Sequence, residues 1–356
     1  MNAPEHVLQP VASIKRSRLP RATRMVLELL DGLEGGALAI ELPGGEHLRA
    51  GHGPLVAHLR VRELAMFDEA LARGDIGFGE SFMDEHWDTD DLTGLLTLLS
   101  RNRERIGQAI HGRLLRMIGH RITHLLRANT RSGSRRNIEA HYDLGNDFYA
   151  LWLDPSMTYS AAMFASAGEP LQDGQLRKYR RILGQLDVKP GQTILEIGCG
   201  WGGFAEVAAT EFGCRVLGIT LSPSQLAFAR ARAEKGGYGE QADFELCDYR
   251  DVRGQYDHVV SIEMIEAVGE RFWPTYFAQL SARLKPSGRC VVQSITVADA
   301  LFARYRRGTD FIQRHIFPGG MLPSPGAVEL RARQAGFEVV GDFAFAEGEV
   351  PEEPVV

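Results

Sequence analysis

From residue 190 onward, short apolar runs alternate with stretches whose apolar residues recur at helical spacing. The runs at 193–197, 214–220, 243–247, 256–262 and 289–297 read as strands, and 336–345 reads as a sixth. Helices are expected from Phe204 and from Leu221-Ser222-Pro223-Ser224-Gln225. Strands and helices alternating over 190–300 predict an α/β fold: a doubly wound, Rossmann-like parallel sheet with its site at the strand carboxyl ends. Upstream the pattern changes. Residues 21–127 read as a smaller, mainly helical N-terminal domain, with a hairpin over 38–50 around Pro43-Gly44-Gly45 and helical periodicity over 64–71 and 92–99. A polar, basic linker follows at 128–136, then a helical lead-in over 137–190, so the second domain spans 137–345. Residues 1–20 read as a loosely ordered start and 346–356 as an acidic tail.

Charge changes this picture in one place. The chain has 356 residues and a net charge of −6, yet 101–136 holds ten Arg, no Lys and one acid, which leaves −15 for the remainder. In that stretch Ile106, Ile110, Leu114, Met117, Ile118, Ile122 and Leu125 recur at helical spacing, with Arg113, Arg116, His120 and Arg127 on the other face. Such a helix suits anionic lipid headgroups, and equally an ordinary domain helix with a solvated basic face. No nucleic-acid reader motif accompanies the arginines, so nucleic acid is not an expected partner. No apolar run reaches eighteen residues, and no signal-peptide pattern is found. The four cysteines fall in or beside predicted strands without metal-ligand spacing, which reads as reduced thiols in a cytoplasmic protein and no metal site.

The chemistry concentrates after the first predicted strand. There Leu195 and Glu196 lead into Gly198, Cys199, Gly200, Trp201, Gly202 and Gly203. The spacing is Glu-x-Gly-x-Gly-x-Gly, not the Gly-x-Gly-x-x-Gly of dinucleotide binders. It resembles the nucleotide loop of an S-adenosylmethionine (SAM) methyltransferase, with Glu196 facing a cationic or hydroxyl-bearing cofactor. The second strand ends at Thr220-Leu221 without the acid a dinucleotide enzyme places on the ribose, and Gln225 is the group able to bond ribose hydroxyls instead. After the third strand, Asp248-Tyr249-Arg250 offers an acid and an aromatic for adenine.

Motifs from about Arg73 to Phe337 extend the likeness. They include Gly74-Asp75-Ile76-Gly77-Phe78-Gly79-Glu80, His141-Tyr142-Asp143-Leu144-Gly145-Asn146, Met157-Thr158-Tyr159-Ser160, Gly200-Trp201-Gly202-Gly203 and Ile316-Phe317-Pro318-Gly319-Gly320. Together they resemble the cyclopropane fatty acid synthase family, which includes the mycolic acid cyclopropane synthases. The resemblance implies SAM contacts at Tyr159 and Ser160, the 195–203 loop, Thr220, Gln225 and Tyr249–Arg250. It implies an apolar tunnel for an unsaturated acyl chain of a membrane phospholipid. Phe148, Phe164, Phe272, Phe302 and Phe311 are candidates to line it, and Arg304, Arg306 and Arg307 to meet lipid phosphates. It further implies a protein peripheral to the inner face of the membrane, and a homodimer. The expected reaction is methyl or methylene transfer to the double bond, ending in a ring or a methyl or methylene branch. A soluble small-molecule substrate, or a SAM- or lipid-binding homologue without catalysis, are the competing readings.

Two departures from the family pattern stand out. Its bicarbonate pocket would draw on a Cys after Tyr-Ser, a Glu-His pair and a later His. Here the positions hold Ala161, Glu266-Ala267 and Gln293, which argues against a bicarbonate ion. An added carboxylate, Glu263, stands where relatives usually have Gly. If that segment turns helically, Glu263 and Glu266 share a face and one carboxyl is pushed toward neutrality, so that Glu263 or Glu266 replaces bicarbonate as the base. Relatives also continue into a further Tyr-x-x-Thr-Leu segment and a last strand inserted antiparallel between the fifth and sixth. The acidic tail here reads as a truncation or a shifted reading frame.

Overall fold

The computed structural model describes residues 8–13, 19–110, 145–166 and 168–344. The chain divides into two compact units, 1–123 and 124–356. The basic amphipathic helix expected from Ile106 to Arg127 is described only as far as residue 110; the rest of it, the linker and the acidic tail lie outside the described residues.

In the first unit, β1 (Gln9–Pro10), β2 (Gly36–Glu41), β3 (His47–His52), β4 (Leu55–Val61) and β5 (Trp87–Thr89) form a sheet of order β1-β3-β2-β4-β5. The hairpin around Pro43-Gly44-Gly45 is β2–β3, antiparallel from Gly36–His52 to Glu41–His47. It is the centre of a mixed sheet rather than an isolated ribbon, because β4 returns parallel to β2 and buries alternate residues. Helices α1 (Arg21–Asp31), α2 (Ala65–Arg73), α3 (Asp75–Met83), α4 (Leu92–Arg101) and α5 (Arg103–Ile110) complete the unit. Its core gathers Leu27, Leu38, Leu59, Phe67, Trp87 and Leu95. The Trp87 indole N–H reaches Ser81 Oγ at 3.0 Å, and its ring stacks on Phe78 at 4.3 Å.

The second unit holds β6 (Thr193–Ile197), β7 (Arg215–Thr220), β8 (Ala242–Leu246), β9 (Tyr256–Ile262) and β10 (Leu284–Gln293), all parallel in the order β10-β9-β6-β7-β8. Its helices are α6 (Gly145–Ala150), α7 (Leu171–Leu186), α8 (Gly203–Thr210), α9 (Pro223–Gly236), α10 (Ile265–Val268), α11 (Trp273–Arg283), α12 (Asp299–Tyr305) and α13 (Pro325–Gln334). One apolar cluster packs α7, α8 and α9 on one face of the sheet, and another packs α11 and α13 on the other. This is why β6 reads as a continuous apolar run: it is covered on both faces. The chain reverses direction across the sheet at β6, between β7 and β9, and the crevice opens at the carboxyl ends there.

Two strand expectations need correction. The fifth strand spans Leu284–Gln293 rather than 289–297, because its partner β9 ends at Ile262, opposite Gln293. The sixth strand does not form: residues 337–344 join no ladder. A strand exists only by exchanging hydrogen bonds with a neighbour. The antiparallel strand that would bridge this segment to β10 has no counterpart among the described residues.

Leu195 is fully buried at the centre of the sheet. Leu195→Ala is expected to lower the unfolding free energy of this unit by about 2–5 kcal/mol, read from urea denaturation.

Candidate functional site

The 198–203 loop leaves β6 through three left-handed glycines, Gly198 (φ 85°), Gly200 (φ 53°) and Gly202 (φ 85°), a conformation that strains residues bearing a Cβ. The amides of Gly198 and Cys199 both donate to the Ile219 carbonyl at 3.0 Å, which draws the loop against β7. The Trp201 indole donates to Asn146 Oδ1 at 2.8 Å and fastens the loop to α6. Glu196 ends the strand only 3% exposed, and its Oε2 has no hydrogen-bond partner in the protein. Burial holds its carboxyl well above the usual range, opposed by the charge of Lys178. An orphaned buried carboxyl beside a left-handed glycine loop fits a cofactor carrying an amino group and hydroxyls, so SAM suits these residues. Across the crevice, Thr220 donates to Gln225 Oε1 at 2.8 Å, which orients the Gln225 amide at the cleft wall.

These groups line a mainly apolar cleft of about 760 Å³, together with Tyr159, Ser160, Leu221 and Tyr249. Four of the candidate cofactor-binding residues are not on its wall. Leu195 points into the sheet core, and Gly202 packs behind the loop against Ala229 and Phe244. Asp248 and Arg250 form a nearly buried ion pair in which the guanidinium engages both carboxylate oxygens, with contacts at 2.7 and 2.6 Å. The acid expected to hold adenine is therefore occupied by its own neighbour.

Aromatic groups build the cleft differently from expectation. Phe164 lines it, whereas Phe302 stacks on Trp273, Phe311 lies against His315 and Phe272 lies under Arg250. Phe148 is exposed outside the wall. The wall is formed instead by Trp152 and Tyr159, with ring centroids 5.4 Å apart, and by Phe317. A π-helical turn, Ile312–Ile316, carries the chain into the Phe317-Pro318-Gly319-Gly320 segment. There the Met321 amide donates to the Glu266 carbonyl at 2.8 Å, and a Cβ on Gly320 would stand 3.1 Å from that carbonyl oxygen. The specific motif thus serves as a close brace for α10. Of the three arginines, Arg306 pairs with Glu270.

The two candidate carboxylates meet at the cleft, though not on one helix face. Helix α10 begins only at Ile265, and Glu263 is left-handed at φ 49°. Glycine adopts that conformation freely, whereas a residue bearing a Cβ stores strain in it. The Glu263 carboxylate bends back so that Oε1 accepts from the Ala161 amide and from Gln293 Nε2, each at 2.9 Å. Gln293 itself is off the cleft wall and acts through this bond. Donors at two positions of the expected bicarbonate pocket are thus taken by a carboxylate of the protein itself, and the third position, Ala267, has no side-chain donor. A bicarbonate ion does not fit this arrangement, and no chemistry is derived through one. Glu266 Oε1 accepts from the Ile295 amide, while the buried Oε2 has no partner. Its pKa is raised to about 7, chiefly by burial, with the Glu263 charge a smaller contribution.

Sequence reasoning missed four polar groups here. Tyr305 and Gln313 line the cleft and are joined at 3.0 Å, and burial raises the Tyr305 pKa to about 12. Gln175 and Lys178, three residues apart on α7, are also buried beside it. A Lys and a Gln at positions where the helix should be apolar were the available signal.

Glu263→Gly relieves the left-handed strain but takes the acceptor from the Ala161 and Gln293 donors, so hydrogen exchange at the Ala161 amide is expected to speed up in that variant.

Comparison with known proteins agrees with this geometry. Residues 129–346 match the family described as mycolic acid cyclopropane synthetase. Over 286 residues the chain is 42% identical to tuberculostearic acid methyltransferase of Mycobacterium tuberculosis, covering 76% of this chain and 66% of that protein. Over 281 residues it is 36% identical to cyclopropane-fatty-acyl-phospholipid synthase of Escherichia coli, covering 77% and 69%. The chain thus spans about two thirds of the length of these relatives. A crystal structure of a mycolic acid cyclopropane synthase complexed with SAH and CTAB superposes with a TM-score of 0.54 at 32% identity, covering 58% of this chain and 76% of that one. The chain belongs to the mycolic acid cyclopropane synthetase family of SAM-dependent enzymes, with their class I methyltransferase fold.

Proposed function

We propose that this chain transfers the SAM methyl carbon to the double bond of an unsaturated acyl chain in a membrane phospholipid. The observation that carries the reading is the placement of two carboxylates, Glu263 and Glu266, on the wall of an apolar cleft that also holds the glycine loop. When bound, SAM supplies an electrophilic methyl group on a sulfonium, which the π electrons of the alkene attack.

What this chain supplies is an environment for the alkyl cation that results. Apolar walls exclude water, which would trap the cation as an alcohol. The faces of Trp152 and Tyr159 offer negative quadrupole to positive charge. The cation then loses one proton. Loss from the delivered methyl with carbon–carbon closure gives a cyclopropane; the same loss after a 1,2-hydride shift gives a methylene branch. Glu266 is the acceptor: its raised pKa lets it keep a proton near neutrality, and Glu263 beside it strengthens that tendency. Glu263, held by the Ala161 and Gln293 donors, adds a fixed negative charge facing the cation.

The enzyme works as a peripheral protein at the inner face of the membrane. No helix among the described residues is long and apolar enough to cross a bilayer. Exposed Arg304 and Arg307 precede the cleft-lining segment 310–322 and suit lipid phosphates.

Mass spectrometry of phospholipid acyl chains from cells fed methyl-labelled methionine tests the reading. Expression of this chain should add one labelled carbon to unsaturated chains, and fragmentation then separates ring from branch; no labelled lipid from folded, SAM-bound protein rejects it. Because Glu266 must be ionised to accept the proton, turnover should rise with pH through about 7. Glu266→Gln should remove that limb and cut kcat by about 10²-fold or more. Glu263→Gln takes away a like charge, so the limb should move to lower pH.

A further inference from the structure

Lys178 is a cation where the fold has no structural need of one. It lies on α7, only 1% exposed, at the inner side of the wall that carries Ser160. Its Nζ donates to Ser160 Oγ and, at 2.6 Å, to Gln175 Oε1. Gln175 in turn donates from Nε2 to the Ser160 carbonyl at 2.7 Å. Ser160 is therefore gripped at its hydroxyl and at its carbonyl by two residues of one helix. The next amide along the chain, that of Ala161, is the one that holds Glu263 Oε1. Three acids bear on the ammonium: Glu263 from the turn after β9, Asp154 from the loop before Ser160 and Glu196 from the end of β6. Asp154 accepts the Ser156 amide at 2.9 Å within its own loop, whereas Glu263, the largest of the three influences, lines the cleft.

We infer that Lys178 is a positioning residue of the transfer site: it clamps the Ser160–Ala161 backbone so that the Ala161 amide fixes Glu263, and it supplies a counter-charge to Glu263. The inference rests on the methyl-transfer reading above for its effect on rate, though not for its effect on Glu263. Burying an ammonium is unfavourable, and an apolar residue at this helix position would pack without that penalty. The penalty shows in the pKa of Lys178, which burial lowers to about 7 against the pull of the three acids. Tyr179, whose ring centroid lies 4.7 Å from Nζ, covers another side.

The test is a double-mutant cycle with Lys178→Met and Glu263→Gln, read both in kcat and in urea unfolding. If Lys178 acts through Glu263, Lys178→Met lowers kcat at least tenfold while the SAM dissociation constant changes less than threefold. In the Glu263→Gln background the same substitution then changes kcat less than threefold. The unfolding equilibrium constants should likewise be non-additive by at least fivefold. Ser160→Ala removes the hydroxyl that Lys178 holds and should reproduce the kcat loss if Lys178→Met does not fold. Equal factors in both backgrounds, or losses of SAM affinity and stability that keep pace with kcat, would overturn the inference. If the wild-type chain methylates no lipid, the functional reading fails, and the unfolding cycle still decides on Lys178: coupling supports it and additivity within twofold rejects it.

Discussion

The site depends on one ladder, the parallel pairing of β6 with β7 on one side and β9 on the other. Those hydrogen bonds bring three strand ends to one level: Ile197 with its glycine loop, Thr220 with its partner Gln225, and Ile262 with the Glu263 turn. A register slip of one residue would exchange the buried and loop-directed sets on each strand. The apolar load of β6 guards against that slip, since Ile194, Leu195 and Ile197 have no other place to be buried.

Into that apolar frame the chain places an unusual amount of ionisable material. Glu196 and Lys178 are almost wholly buried and Glu266 is half-buried with one oxygen out of reach of water, and each is shifted toward its neutral form by burial. Such groups weaken a fold unless they are bonded or have a partner to come. Lys178 is bonded, while Glu196 and Glu266 each keep one oxygen without a protein partner. Both of these carboxyls line the cleft. Glu263 differs in kind: its strain is in the backbone, and its carboxylate is met by Ala161 and Gln293. A side chain thereby takes the donors that an external anion would need.

The brace around α10 shows how a motif can be recognised without its purpose being visible. Phe317-Pro318-Gly319-Gly320 is specific as a string of residues, yet its work is mechanical. It brings the Met321 amide onto the Glu266 carbonyl where no Cβ at 320 would leave ordinary room. The aromatic residues teach the reverse lesson. Phe302 and Phe311 look like tunnel lining by type, and their faces are spent on Trp273 and His315.

The sequence by itself determined the class of the second unit, the bounds of β6 and β9, the glycine loop and the place of Glu196, Thr220, Gln225, Glu263 and Glu266 near the strand carboxyl ends. These are local properties: apolar periodicity, positive-φ glycines and polar residues at strand ends are written within a few positions of one another. What only the tertiary structure decided depended on partners distant in the chain. Residues 337–344 form no strand because strand formation requires a neighbour, whatever the propensity of the segment. Lys178 gained a role because α7 lies behind Ser160, 18 residues away, and so within reach of a carboxylate from the turn after β9. Contacts of that kind depend on how the elements pack, and the spacing of residues along one segment does not record them.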